Sequence, residues 1–352
     1  MSLRQLSTFR LRSSLLLGSL LLAGTFSATA AEQLRQPIAK GVYEMAFSQQ
    51  ENALWVATTQ NRQTDKGGVV YRLDPTTLQV TQAIHNDIKP YGATIDARTQ
   101  TLWFGNSTDG MVTAIDAKTG DVKGRVVLDA RKRTETERPL QPRQVLVDET
   151  SGTVYITGLG KESVIWAVDA EKMTLKNTIT GTGTYSTALA LDADAKRLYS
   201  GNADGELVTI DTATQKVISR KKLLDDGKEH FFINLSLDTA GHRAFVADSK
   251  EKALLVVDLR DGKVLESIAV PEALAVLFNP ARNEVYVTHR QAGQVSVIDA
   301  KNYKVIKTFN TPTHPNSLTL SADGKTLYVS VKQAGTRQQP ATQPDDIIRI
   351  AL

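Results

Sequence analysis

Several segments of this chain carry aromatic rings, basic side chains or both. Lys89-Pro90-Tyr91, Gln141-Pro142-Arg143, Tyr185-Ser186 and His230-Phe231-Phe232 are such segments, and Asn61-Arg62 and His289-Arg290 add two further cations. Single-stranded nucleic acid is held by this chemistry, with bases stacked on rings and phosphates against cations. The candidate binding set is therefore Arg62, Lys89, Tyr91, Arg143, Tyr185, Phe231 and Arg290. Among them Tyr91, Tyr185 and Phe231 are expected to be exposed, as stacking platforms.

Other chemistries have weaker anchors. The chain of 352 residues contains no cysteine, which excludes disulfides, thiolate metal sites and cysteine nucleophiles. It has five histidines, of which His230, His289 and His314 fall in comparable loops, but none has a close ligand spacing. No bound metal and no cofactor are expected. The carboxylates Asp74, Asp116, Asp169, Asp211, Asp258 and Asp299 each open a tight turn, where an aspartate accepts backbone N–H groups two residues on. They read as turn formers rather than as acid–base pairs. Neither a Gly-x-Ser-x-Gly elbow, a phosphate-binding P-loop nor a dinucleotide fingerprint is present, so acyl transfer, nucleotide hydrolysis and hydride transfer lack a motif.

The elements that must position these loops come from an internal repeat. A triplet with a central aromatic recurs as Leu54-Trp55-Val56, Leu102-Trp103-Phe104, Val154-Tyr155-Ile156, Leu198-Tyr199-Ser200, Ala244-Phe245-Val246, Val285-Tyr286-Val287 and Leu327-Tyr328-Val329. Short alternating segments flank each triplet, with turn residues between them, which is the pattern of antiparallel strands. Four strands in each repeat of about 45 residues make a propeller blade. The fold class is therefore all-β, a seven-bladed β-propeller with four antiparallel strands per blade. The last repeat ends at its third strand, and a surplus segment, Glu32 to Ile38, precedes the first. That segment is expected to supply the missing outer strand and close the ring. Pro37 is tolerable on such an edge.

In the sixth repeat the residues read Val285-Tyr286-Val287-Thr288-His289. This resembles the YVTN family of bacterial β-propellers, and the likeness recurs with drift in every blade. Ala39 to Glu51 and Asp225 to Leu237 are similar to a periplasmic enterobacterial member of that family. The resemblance implies a seven-bladed periplasmic propeller with capacity to bind single-stranded DNA. Repeat spacing indicates the propeller independently; it does not indicate DNA binding.

Residues 1–30 read as a secretory signal. Arg4, Arg10 and Arg12 form a basic start, Leu15 to Ala23 an apolar stretch too short to span a bilayer, and Ala28-Thr29-Ala30 a cleavage site. The mature chain, 31–352, is then one propeller domain in the periplasm. No further segment is apolar enough for stable membrane insertion, and a monomer is expected. Removing the three arginines brings the formal +4 close to neutral. Charge is then a matter of distribution. Mouth-face loops of the first three repeats are net positive and those of the last four net negative, so a polyanion should prefer the first sector.

Loops Thr59 to Gly68 and Lys332 to Asp346 are unusually long and suggest a lid across the closure seam. The leading function is a non-enzymatic module binding single-stranded DNA at the channel mouth. A protein-interaction scaffold with a protein partner is the first alternative. A propeller enzyme acting on a small molecule is the second.

Overall fold

The computed structural model describes residues 33–61, 66–132, 134–336 and 338–352. The expected leader and Arg62 lie outside the described residues. The described strands form seven separate four-stranded antiparallel sheets, each a blade. Blade one runs Val42–Ser48, Ala53–Thr58, Gly68–Leu73 and Val80–Asn86 from the channel outward. Blades two to six repeat that order over residues 93–127, 141–179, 190–222, 232–269 and 276–310.

Blade seven is built from both ends of the chain. His314–Leu320, Thr326–Lys332 and Asp345–Ala351 provide three strands, and Gln33–Ala39 pairs antiparallel with the third, Gln33 opposite Ile350. The expected closure is therefore present. Pro37 sits on this outer strand, next to a register irregularity between Pro37 and Ala39, the kind of edge position that tolerates a residue without an N–H. The closure also has polar fastenings. Arg35 pairs with buried Asp346 at 2.9 Å, and Asp345 accepts the Val42 amide at 3.0 Å.

The second strands explain the repeat. Their central aromatics lie between adjacent sheets, with Trp55, Trp103, Tyr155, Phe245 and Tyr286 essentially inaccessible to solvent. Burial of each such side chain contributes about 1.5–3 kcal/mol. Polar-rich outer strands such as Lys216–Lys222 stay exposed, as an unpaired sheet edge requires.

Inner strands of neighbouring blades share no ladder, so their backbone groups need other partners. Side chains supply them around the ring. Gln144 accepts the Leu189 amide at 2.6 Å, Asn234 donates to the Leu274 carbonyl at 2.7 Å, and Ser317 donates to the Tyr43 carbonyl at 2.9 Å. Each bond crosses from one blade to the next.

The six turn aspartates behave as expected. Asp74 Oδ1 accepts the amides of Thr76 and Thr77, and Asp116 Oδ1 those of Lys118 and Thr119, within 3.0 Å. Asp258 is pulled down to about 2 by its hydrogen bonds to Arg260, the side chain first and the amide next. Left-handed residues mark equivalent turns from blade to blade. Asn52, Gln100, Lys196, His242 and Asn283 follow inner strands, while Leu78, Met173, Gln215 and Tyr303 precede outer ones.

Candidate functional site

The loops that enter inner strands and those that join second to third strands lie on one face and ring the channel mouth. Below it the channel is a cavity of roughly 360 Å³ walled by inner-strand residues such as Val145, Leu189, Leu235 and Leu274. Glu44 and Arg143 are the charged residues of that wall. They form an ion pair at 2.9 Å that reaches from blade one to blade three across blade two. Glu44 also accepts the Ala93 amide of blade two at 3.2 Å. Burial pushes the Glu44 carboxyl above the usual range, opposed by the Arg143 charge and by the Ala93 N–H.

Tyr91 stands close to this pair because Gly92 lets two backbones approach. A Cβ on Gly92 would lie 2.2 Å from the Arg143 carbonyl oxygen. Tyr91 is half-buried, its ring edge-on to Tyr43 at 4.7 Å between centroids. The Lys332 ammonium lies 3.6 Å from the Tyr43 ring centroid, a cation–π arrangement. Blades seven, one, two and three thus bring two tyrosine rings, a lysine and an arginine to one sector of the mouth.

Tyr185 is 41% exposed and is held at φ 47°. Its amide donates to the Gly160 carbonyl at 2.8 Å, which fixes the loop before blade four to the hairpin of blade three. Among the described residues, the non-glycine left-handed positions outside the repeating turns are Gln60 and Tyr185, and both lie on the mouth face. A bulky residue with positive φ is strained, and strain persists where surrounding structure enforces it.

Lys89 requires correction. It is 2% exposed and does not face solvent at the mouth. Its ammonium donates to the Thr59 carbonyl at 2.8 Å, the Asn61 carbonyl at 2.9 Å and the Asn61 side-chain oxygen at 3.0 Å. A lysine here satisfies carbonyls that the long blade-one loop leaves without ladder partners, so it pins that loop rather than meeting phosphates. Phe231 and Tyr91 are half-buried rather than exposed. The Phe231 amide donates to Asp248 at 3.2 Å. Arg290 is half-buried at the mouth, and its carbonyl accepts from His314 Nδ1 at 2.8 Å. The structure therefore places Tyr91 and Arg143 in the first sector, Tyr185 at its edge on the loop that enters blade four, and Phe231 and Arg290 across the ring from them.

The family model for YNCE-like β-propellers matches residues 21–319. The chain belongs to the YncE-like β-propeller family. It is 71% identical over 353 residues to the YncE protein of Salmonella typhimurium, covering 100% of both chains. Against YncE of Escherichia coli strain K12 the identity is 70%, again over 100% of both. A more distant relative is antigen Lp49 of Leptospira interrogans, 25% identical over 48% of this chain and 38% of its own. Hydrazine synthase of Kuenenia stuttgartiensis superposes with a TM-score of 0.69 at 15% identity, over 83% of this chain and 92% of that one, which is a likeness of fold alone.

Glu44, Tyr43 and Lys332 were not singled out by sequence reasoning as site residues. Their signal was positional: Val42-Tyr43-Glu44 opens an inner strand, where a carboxylate faces a channel lined, apart from Arg143, by neutral groups. The three mouth-face histidines act as pins. His289 is inaccessible to solvent, with Nδ1 donating to the Glu272 carbonyl at 3.0 Å and Nε2 accepting from Ser296 at 2.8 Å. Burial lowers its pKa, which fits a neutral ring. The Ser296–His289 pair has the connectivity of a nucleophile and base, and both residues are buried.

His230 lies between Asp248, 2.6 Å from Nδ1, and Asp226, 2.9 Å from Nε2. Desolvation lowers its pKa, but Asp226 and Asp248 together outweigh that, and the net shift is upward from 6.5. A raised folded pKa gives stability that is complete below the unfolded value and lost as pH rises through the folded one. The stability gap between the wild type and His230→Gln is therefore expected to be full below the ordinary imidazole value of 6.5 and to shrink as pH rises above it, measured by urea denaturation. A gap independent of pH would mean that the imidazole stays neutral throughout.

Proposed function

We propose that this YncE-like propeller is a non-enzymatic binding module that holds single-stranded DNA across the first sector of its channel mouth. The carrying observation is Tyr185, an exposed ring on a strained backbone that stands outside the repeating turns. Rings at Tyr91 and Tyr185 offer stacking surfaces on either side of Arg143. Single-strand binding uses aromatic platforms set in a positive groove, and the loop charge of this sector has the required sign. The family resemblance points the same way.

In this reading Arg143 exchanges Glu44 for a phosphate. Glu44→Gln then releases the guanidinium and strengthens binding. Arg143→Ala is expected to reduce the slope of log affinity against log salt by about 0.7, because one phosphate contact and its counterion are lost. Tyr185→Ala should cost on the order of 1–3 kcal/mol with that slope unchanged, because stacking releases no counterion. Duplex of equal length should bind more weakly, since its bases are already stacked. Fluorescence titrations of labelled oligonucleotides at several salt concentrations read all four effects. If affinity is insensitive to salt and to both alanine substitutions, a protein-interaction scaffold becomes the better account.

A further inference from the structure

The opposite face carries a second cleft, at the seam where blade seven meets blade one. Its volume is roughly 290 Å³. The hairpin after Ser48, the turn at Pro75-Thr76 and the hairpin 321–326 form its rim, and Phe47, Tyr328 and Arg349 reach its interior. The Phe47 and Tyr328 rings lie near parallel, 17° apart with centroids separated by 6.0 Å. Tyr328 is 2% exposed and donates to the Pro75 carbonyl at 3.0 Å, so this wall is fixed. Phe47 is half-buried.

Arg349 breaks the pattern of the repeat. It stands opposite Tyr328 in the sheet, at the third-strand position facing the blade's central aromatic. In blades two to six that position holds Ala114, Ala167, Thr209, Val256 and Val297. Blade one has Arg72 there, but Arg72 packs 5.9 Å from the Trp55 ring centroid and pairs with Glu51 at 3.6 Å. Arg349 is half-buried, and among the described residues no carboxylate lies within ion-pairing distance of it. A position that takes small or apolar residues in blades two to six, and an acid-paired arginine in blade one, thus carries a planar cation without an acid in blade seven. A guanidinium half out of water, beside an aromatic wall, matches a carboxylate through two parallel hydrogen bonds.

The rim limits the anion. Asp323 lines the same cleft, its carboxylate oriented by Ser321 at 2.6 Å and by the Lys325 amide at 3.1 Å. Lys325 lies 3.9 Å from this carboxylate and offsets it only in part across exposed surface, so Arg349 leaves the cleft about one positive charge, which a monoanion neutralises. Cleft size sits at the lower end of small-molecule sites. We propose that the seam cleft binds the carboxylate of a small monoanion that bears an aromatic group, with the carboxylate on Arg349 and the ring against Phe47. A free aromatic acid and the C-terminal carboxylate of a peptide ending in phenylalanine both present this chemistry.

Isothermal titration calorimetry of the mature protein tests it. 3-Phenylpropionate should bind, while 3-phenylpropionamide and phenyl phosphate should bind at least tenfold more weakly, on the order expected for a lost charge-assisted bond. A phenylalanine-terminated tripeptide with a free or an amidated C terminus separates the two sources. Binding of the free-ended peptide identifies a chain terminus, and binding of the small acid alone identifies a free metabolite. Arg349→Gln should abolish binding, and Phe47→Leu should weaken it severalfold. Asp323→Asn changes only the exposed rim and should tighten binding of the acid, which keeps the test decisive if Arg349→Gln fails to fold. Equal binding of acid and amide, no heat up to about 10 mM acid, or an unchanged affinity in Asp323→Asn and Phe47→Leu would overturn the proposal.

Discussion

Deletion of Gln33–Ala39 is expected to lower the melting temperature by about 10 °C, the consequence of losing roughly 4–6 kcal/mol in a chain of this size. Three losses coincide. The Asp345–Ala351 strand becomes an open edge, since its ladder partners Gln33 to Ala39 are gone. Apolar cover from Leu34 and Ile38, which pack against the cluster containing Val42, Leu54 and Tyr328, disappears. Asp346, 1% exposed, loses Arg35, the cation that neutralises it. The pair itself is half open to solvent at Arg35 and contributes little as an attraction, but a buried carboxylate without it is costly. Differential scanning calorimetry measures the shift. An unchanged melting temperature would mean that the ring is held shut by its core alone.

Lys89→Met should cost roughly 1.5–3 kcal/mol of unfolding free energy, because it removes a charged donor from the buried Thr59 carbonyl and from the part-buried oxygens of Asn61. Methionine keeps the stem of the side chain, so the loss is polar rather than a packing defect. Thr59 and Asn61 lose their anchor, and the blade-one loop loosens at its base. The salt dependence of oligonucleotide binding should be unchanged in this variant. Chemical denaturation and salt titration together separate the two roles. A full-strength fold with a salt slope reduced by about 0.7 would place the lysine on a phosphate instead.

The blades were legible in the sequence because a propeller places the same kind of side chain at the same point between sheets. Trp55, Trp103 and Tyr328 sit in equivalent registers, so their spacing carried the architecture. Ring closure was legible for a related reason: a third strand without a fourth and a surplus segment at the other terminus fit one another. The mouth was less legible. Lys89-Pro90-Tyr91 reads identically whether the ammonium faces water or carbonyls, and the deciding oxygens lie 28 and 30 residues away. Glu44 and Arg143 are separated by 99 residues and meet across blade two, where Gly92 has no side chain to hold the Arg143 backbone away. Tyr185 stood out by type, but its strained backbone is a property of the loop that no residue pattern displays. Arg349 looks ordinary in Ile347-Ile348-Arg349-Ile350; its oddity emerges when register sets it beside the alanines and valines of other blades.

The central claim is that the first sector of the mouth face receives single-stranded DNA. Amide hydrogen exchange of the protein, with and without a saturating oligonucleotide, tests it most directly, since protection locates a ligand without any substitution. The account predicts slowed exchange in the loops 87–92 and 180–187 and at the start of Gln141–Asp148, with the hairpins of the opposite face unchanged. Unaltered exchange throughout the mouth, or protection confined to the opposite face, would contradict it.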